Sequence, residues 1–274
     1  MLSGKIILLT GATDGIGLQT ANDLAGLNPV LILHGKNADK GKKLKESLVA
    51  QTGNNNIYYF NADLSSFKDI ENFAETVKNE FSRIDIIINN AGIYESKKII
   101  LDTGQEKTFM VNYLSAFVLT LQLLDLLKKS DSGKIINVSS MVHASTIDFE
   151  NLNGEKFYSG DAAYSLSKLC NILFTYKLAD LLKKDNISVN ALHPGVINTK
   201  LLRAGWGPFG ASASEGAARI MFLIRLNQKI SGKYFENDKD TTSAAVSYDK
   251  SIQDKLWNYS VEKANQYLTK PIKI

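Results

Sequence analysis

Cysteine is almost missing from this chain. Of its 274 residues only Cys170 is one. No internal disulfide can form, which fits a reducing compartment. Histidine is scarce as well: His34, His143 and His193 stand far apart without ligand-type spacing, so no metal site is expected. Charge of one sign is lacking. The net charge is +4, and the basic clusters "KGKKLK" and "LLKK" fall where helix surface is expected, which argues against a nucleic-acid partner. Long apolar runs are missing too. The N-terminal "MLSGKIILLTGATDG" holds about five apolar residues before glycine and polar residues intervene, and no later window reaches about 18. The expectation is a cytoplasmic chain with no integral membrane segment. There is no linker, repeat or low-complexity stretch, so one domain over 1–274 is the simplest organisation.

What is present is ordinary in bulk and specific in order. Hydrophobic residues make up 44% and charged residues 22%, enough for a sizeable core without staples. Short Ile/Val-rich runs at 5–10, 30–35, 57–62, 84–90, 134–140 and 187–193 predict strands. They are continuous rather than alternating, as in a parallel sheet buried on both faces. Between them, 16–27, 39–52, 66–81, 104–129 and 161–184 carry helical periodicity. This alternation predicts a doubly wound α/β fold in three layers, α/β/α. A late "GKYFEND" (232–238) is a candidate last strand. The segment 200–215, "KLLRAGWGPFGASASE", reads as a long excursion, the core of a substrate loop around 196–215.

The first strand runs straight into "TGATDGIG". Gly11, Gly15 and Gly17 stand where strand turns to helix, so backbone can approach a phosphate at a helix N-terminus. Thr13, Asp14 and Ile16 share that loop, and Asp14 adds a negative charge there. An NAD site usually places an acid about 20 residues further on, bonded to the ribose. Here the second strand ends "LILHGKN", with Lys36 in the place of the acid. A cation suits a 2′-phosphate, so NADP(H) is favoured, with NAD(H) as the other candidate.

Tyr164 and Lys168, in "GDAAYSLSKLC", are one helical turn apart and share a face. Alone, such a pair is ordinary helix surface. In a catalytic setting the lysine would favour the phenolate and lower a phenol pKa that starts near 10. Cys170 is expected in the core and His193 in a structural role. His143, which follows "VSSM", is a candidate for reaching substrate. Phe149, Phe157 and Tyr158, between Ser140 and Tyr164, either face substrate or anchor a loop.

Several motifs then fall in a familiar order: "TGATDGIG", "NADL", "NNAG", Asn112 in "FMVNYLSAF", "IINVSS", "YSLSK" and "HPGVINT". Over roughly residues 3–240 the chain resembles the short-chain dehydrogenase/reductase family. "ENLNGEKFYSGDAAYSLSKLCNILF" and "SGKYF" are similar to its branch of retinol dehydrogenases and the WW-domain-containing oxidoreductase. The resemblance implies a Rossmann-type sheet of about seven strands, a nicotinamide cofactor and carbonyl–alcohol chemistry. It implies that Ser140 orients substrate, Tyr164 is the acid/base, Lys168 its helper and cofactor ligand, and Asn112 the support of a proton relay. It places Asn89, Ala91 and Gly92 along the cofactor, and Asp63 and Leu64 beside the adenine. Pro194, Gly195, Val196 and Thr199 fall near the nicotinamide. Dimers and tetramers built partly from the Tyr164 helix are common in the family, and the branch includes monomers.

The leading expectation is an NADP-dependent carbonyl reductase or alcohol dehydrogenase. Its small-molecule substrate would be lipophilic: a retinoid, a steroid-like ketone or an aldehyde. A redox-sensing or scaffolding protein that binds a dinucleotide without turnover is the alternative from another class. A sugar-nucleotide epimerase or dehydratase on a related fold is disfavoured by the short stretch after "HPG".

Overall fold

A computed structural model describes residues 2–272. In chain order the elements are β1 (Ile6–Leu9), α1 (Gly15–Ala25), β2 (Val30–Gly35), α2 (Ala38–Thr52), β3 (Ile57–Asn61), α3 (Phe67–Glu80) and β4 (Ile86–Asn89). There follow α4 (Lys107–Phe109), a π-helical turn (Met110–Leu114), α5 (Ser115–Gln122), α6 (Leu124–Leu127), β5 (Gly133–Val138), α7 (Gly160–Leu181) and β6 (Ile187–Leu192). The last third adds α8 (Lys200–Gly205), α9 (Ala213–Arg225), β7 (Lys233–Glu236), β8 (Lys239–Asp240), a 3-10 turn (Ala245–Tyr248) and α10 (Lys250–Asn265).

The strands form one sheet in the order β3-β2-β1-β4-β5-β6-β7-β8. All neighbours are parallel except β7 and β8. β1 explains why its sequence is continuously apolar. Ile6 and Leu8 enter one core, with residues of α3, α5, α7 and α10, while Ile7 and Leu9 enter the other, with residues of α1, α2 and α9. Both faces are covered, as the unbroken runs predict. The chain reverses its winding between β1 and β4, and the carboxyl ends of those strands frame the crevice where open α/β sheets bind ligands.

Local signals set the helix ends. Asn37, Ser66 and Ser159 cap α2, α3 and α7, each side chain accepting a main-chain N–H of the first turn. Gly53 ends α2 at φ 72°, a left-handed conformation that glycine adopts without strain.

Three expectations change. The sheet has an eighth strand, a two-residue addition made by a tight hairpin at Asn237 and Asp238, both at positive φ. The helix expected over 104–129 is interrupted, by the π-helical turn at Met110–Leu114 and again at Leu123, whose φ and ψ of −98° and 2° leave the helical region. The excursion at 200–215 is largely ordered: Thr199 caps α8, and α9 begins at Ala213. Among the described residues no helix is long and apolar enough to cross a membrane, and no cluster of metal-ligating side chains occurs.

Candidate active site

A cleft of about 720 Å³ opens at the switch point, within the size range of cofactor and ligand sites. One end lies at the turn from β1 into α1. Gly11, at φ 68°, brings that turn against the loop after β4: a Cβ there would lie 2.9 Å from Ala91 Cα. Gly17 packs α1 onto the turn, since a Cβ would fall 2.0 Å from the Gly11 carbonyl oxygen. Gly15 begins the helix at φ 53°, bordering the cleft. The first N–H groups of a helix have no partner within it. Asp14 caps only that of Gly15, at 2.8 Å, which leaves Ile16 and Gly17 able to receive a phosphate. The donor set and the glycine cradle fit a dinucleotide.

Its adenosine end would meet the ends of β2 and β3. Gly35, Lys36, Ala62, Asp63 and Leu64 all line the cleft. Lys36 pairs with Asp63 at 2.7 Å, and its side chain is 71% exposed. Burial pushes the Asp63 carboxyl up, but Lys36 and Ser65 outweigh this and hold it below its ordinary value. His34 lies beneath, accepting from the Gly11 N–H at 3.4 Å, with Nε2 3.1 Å from the Ala62 carbonyl.

The other end holds the expected chemistry. Ser140 follows β5, and its Oγ accepts from the Val142 N–H at 3.0 Å. Tyr164 and Lys168 reach the cleft from α7, both buried. The lysine ammonium lies 5.4 Å from the phenol ring centre and donates to the Val138 carbonyl at 3.0 Å. Without a bound cofactor, burial dominates both groups. Burial pushes Tyr164 up to about 12, against a smaller lowering by Ser140, while burial brings Lys168 down to about 8. The cause is desolvation, which penalises both charged forms.

Of the expected cofactor residues, Gly11, Thr13, Asp14, Gly15, Ile16 and Gly17 line the cleft, as do Lys36, Asp63, Leu64, Ala91 and Gly92. So do Pro194, Gly195, Val196 and Thr199. Asn89 does not. It sits inside β4, donating to Thr120 Oγ1 at 2.9 Å and Asn137 Oδ1 at 2.8 Å, and its neighbour Asn90 takes the place on the cleft. Asn112 also lies off the cleft wall. Its side chain braces Ile93 and Ser167, and its carbonyl, in the π-helical turn, accepts from Asn171 at 3.0 Å. Ser139 is structural, donating to the Lys168 carbonyl at 2.7 Å.

His143 is held away from substrate by hydrogen bonds. Its Nε2 accepts from the Ala244 N–H, which leaves Nδ1 to donate to the Ser140 carbonyl at 2.7 Å. His193 lines the cleft, buried, and burial brings it down to about 4. Cys170 is fully buried in the core. The Tyr158 hydroxyl donates to the Glu95 carbonyl and anchors its loop. Phe149 lies beneath the Lys255 ammonium, and neither it nor Phe157 lines the cleft.

Sequence reading missed Tyr94. Its ring is 5.0 Å from that of Trp206 and 6.2 Å from that of Tyr164, and Trp206 is 5.4 Å from Tyr164. The three rings enclose the reactive end of the cleft. Tyr94 is gripped between two glycines: a Cβ at Gly160 would lie 2.7 Å from its ring, and one at Gly205 3.1 Å. Its hydroxyl donates to Asp161 at 3.0 Å. Outside this cage, Met141, Val142, Val196 and Phe209 line the cleft while remaining exposed, making an apolar mouth.

With this geometry in hand, comparison with known proteins is informative. The family described as short chain dehydrogenase matches residues 5–206. Human retinol dehydrogenase 13 is 36% identical over 276 residues, covering 93% of this chain and 83% of its own. Mouse retinol dehydrogenase 12 is 35% identical over 273 residues, covering 95% and 86%. A short chain dehydrogenase from Escherichia coli CFT073, solved in complex with NADPH, is 26% identical, with a TM-score of 0.70 over 85% of this chain and 96% of that one.

Proposed function

This chain belongs to the short-chain dehydrogenase family, and from that premise we propose that it is an NADPH-preferring oxidoreductase for a lipophilic carbonyl or alcohol. Hydride-transfer chemistry on CH–OH groups comes with the family. The substrate class and the choice of dinucleotide are our reading.

One observation carries it: Ser140, Tyr164 and Lys168 converge at one end of a cleft whose other end is a phosphate-ready helix N-terminus. A bound nicotinamide would supply or accept the hydride. The residues supply the rest. Ser140 Oγ orients the substrate oxygen by a hydrogen bond. The Tyr164 hydroxyl, whose burial favours the neutral form, donates to that oxygen as negative charge develops on it. Lys168, fixed by the Val138 carbonyl, places a positive charge 5.4 Å from the ring of the phenol that loses the proton, and offers further donors to the cofactor ribose. Trp206 and Tyr94 exclude water from the reacting centre. Asn112 braces the loop after β4 against α7.

The NADPH preference rests on Lys36, whose ammonium can leave Asp63 for a 2′-phosphate, and on the absence of an acid at the end of β2. The lipophilic preference rests on the aromatic cage and the exposed apolar mouth. Retinol dehydrogenase relatives point the same way.

The experiment is NADPH and NADH oxidation, side by side, with a panel of aldehydes and ketones that includes retinal. Turnover should favour NADPH and apolar carbonyls. Tyr164→Phe should lose on the order of 10³-fold in rate while still binding dinucleotide. Tight dinucleotide binding with no turnover across the panel would sink the enzymatic reading in favour of a sensing or scaffolding role.

A further inference from the structure

Asp14 is the unexpected member of the glycine loop. It caps α1, its Oδ1 accepting from the Gly15 N–H, and its side chain is 52% exposed on the cleft. The positive pole of α1 favours an anion in front of it. A carboxylate at the same place opposes that anion by charge repulsion, strongly at short range. The phosphate cradle therefore contains a residue that works against a phosphate.

The compensation comes from 186 residues away. The Lys200 ammonium lies 2.6 Å from Asp14 Oδ2. Burial pushes the Asp14 carboxyl up, but Lys200 and the Gly15 N–H outweigh it and hold it ionised, below its ordinary range. Lys40 contributes a further attractive charge. The lysine's position is fixed by its neighbour: Thr199 packs on the loop so closely that a Cβ at Gly15 would lie 3.0 Å from its Cγ2. As an exposed pair, Lys200–Asp14 contributes only about 0–1 kcal/mol to folding. Its effect on an anion placed between the loop and α8 is larger, because it cancels the carboxylate charge that would repel that anion.

We propose that Lys200 is a cofactor-positioning residue of this chain, which neutralises Asp14 where the dinucleotide pyrophosphate would lie. This deepens the reading above and rests on it. Lys200 is the first residue of α8, which carries Leu201, Leu202 and, just beyond its end, Trp206 to the cleft.

The test is equilibrium titration of NADPH, followed by its fluorescence, on the full chain and four variants. Lys200→Ala should raise Kd about tenfold, and Lys200→Arg should stay near the parent. Asp14→Asn should bind at least as tightly as the parent. The double variant Asp14→Asn/Lys200→Ala should return to within about threefold of it, because the charge to be compensated is gone. Thermal denaturation should be unchanged by Lys200→Ala, showing that binding, not folding, was altered. A parent-like Kd for Lys200→Ala, or a double variant as weak as Lys200→Ala, overturns the proposal alone. A parent chain that binds neither NADPH nor NADH overturns the dinucleotide reading and this proposal together.

Discussion

The Lys168 ammonium donates to the carbonyl of Val138, the last residue of β5, at 3.0 Å. A buried cation with a neutral partner is easily deprotonated, and burial brings this one down to about 8. In the dinucleotide-free protein, a lysine side-chain NMR resonance should therefore titrate near pH 8. Lys168→Met should remove it. Titration of that resonance only above pH 10 would mean that the ammonium is better solvated than the structure shows.

Lys36 should discriminate between dinucleotides. Lys36→Ala should raise the Kd for NADPH about tenfold and leave that for NADH within about twofold, since a lysine acts on a phosphate as a point charge. Equal losses for both would show that Lys36 matters by bracing Asp63, at 2.7 Å, and not by meeting a 2′-phosphate.

Acid should destabilise the protein before its carboxylates protonate. Burial brings both His34 and His193 down to about 4. Between their unfolded value of 6.5 and about pH 4, the unfolded chain binds more protons than the folded one. The stability from keeping these rings neutral is full above pH 6.5 and falls as pH drops through that window. Urea midpoints should decline steadily from pH 7 to pH 5, and His193→Asn should flatten the slope. An unchanged slope would place that ring in water.

α10 lies across α7. Trp257 packs on Phe117 at 5.1 Å and Phe174 at 6.1 Å, and Lys177 pairs with Asp254 at 2.5 Å. This covers a face that the family resemblance offered for self-association. Light scattering should give the mass of one chain. Trp257→Ala should cost about 3–5 kcal/mol of stability. A stable dimer in the parent chain would require a different surface.

Much of this was legible in the sequence, for identifiable reasons. β1 and β4 are buried on both sides, so their apolar runs mark them without help from periodicity. The Tyr164–Lys168 pair was legible because one helix carries both. What failed lies at boundaries and at long range. "NNAG" contains two asparagines, and which one ends the strand decides which faces the cleft: Asn89 turned inward and Asn90 did not. The π-helical turn at Met110–Leu114 adds a residue to a helical turn without changing the apolar pattern. Tyr94 and Lys200 act through partners that only folding brings near.

The grip of Gly160 and Gly205 on Tyr94 bears on how this pocket can change. A side chain added at either glycine displaces the tyrosine, and with it the wall that Trp206 completes. A smaller residue at position 94 removes the ring on which Gly205 packs, while Gly160 stays crowded by the Glu95 carbonyl oxygen. Neither glycine can therefore gain a side chain while the ring stands, and the wall widens only by change at Tyr94 itself. The outer rim at Met141, Val142 and Phe209 is free of that constraint, so new substrate ranges should arise there first.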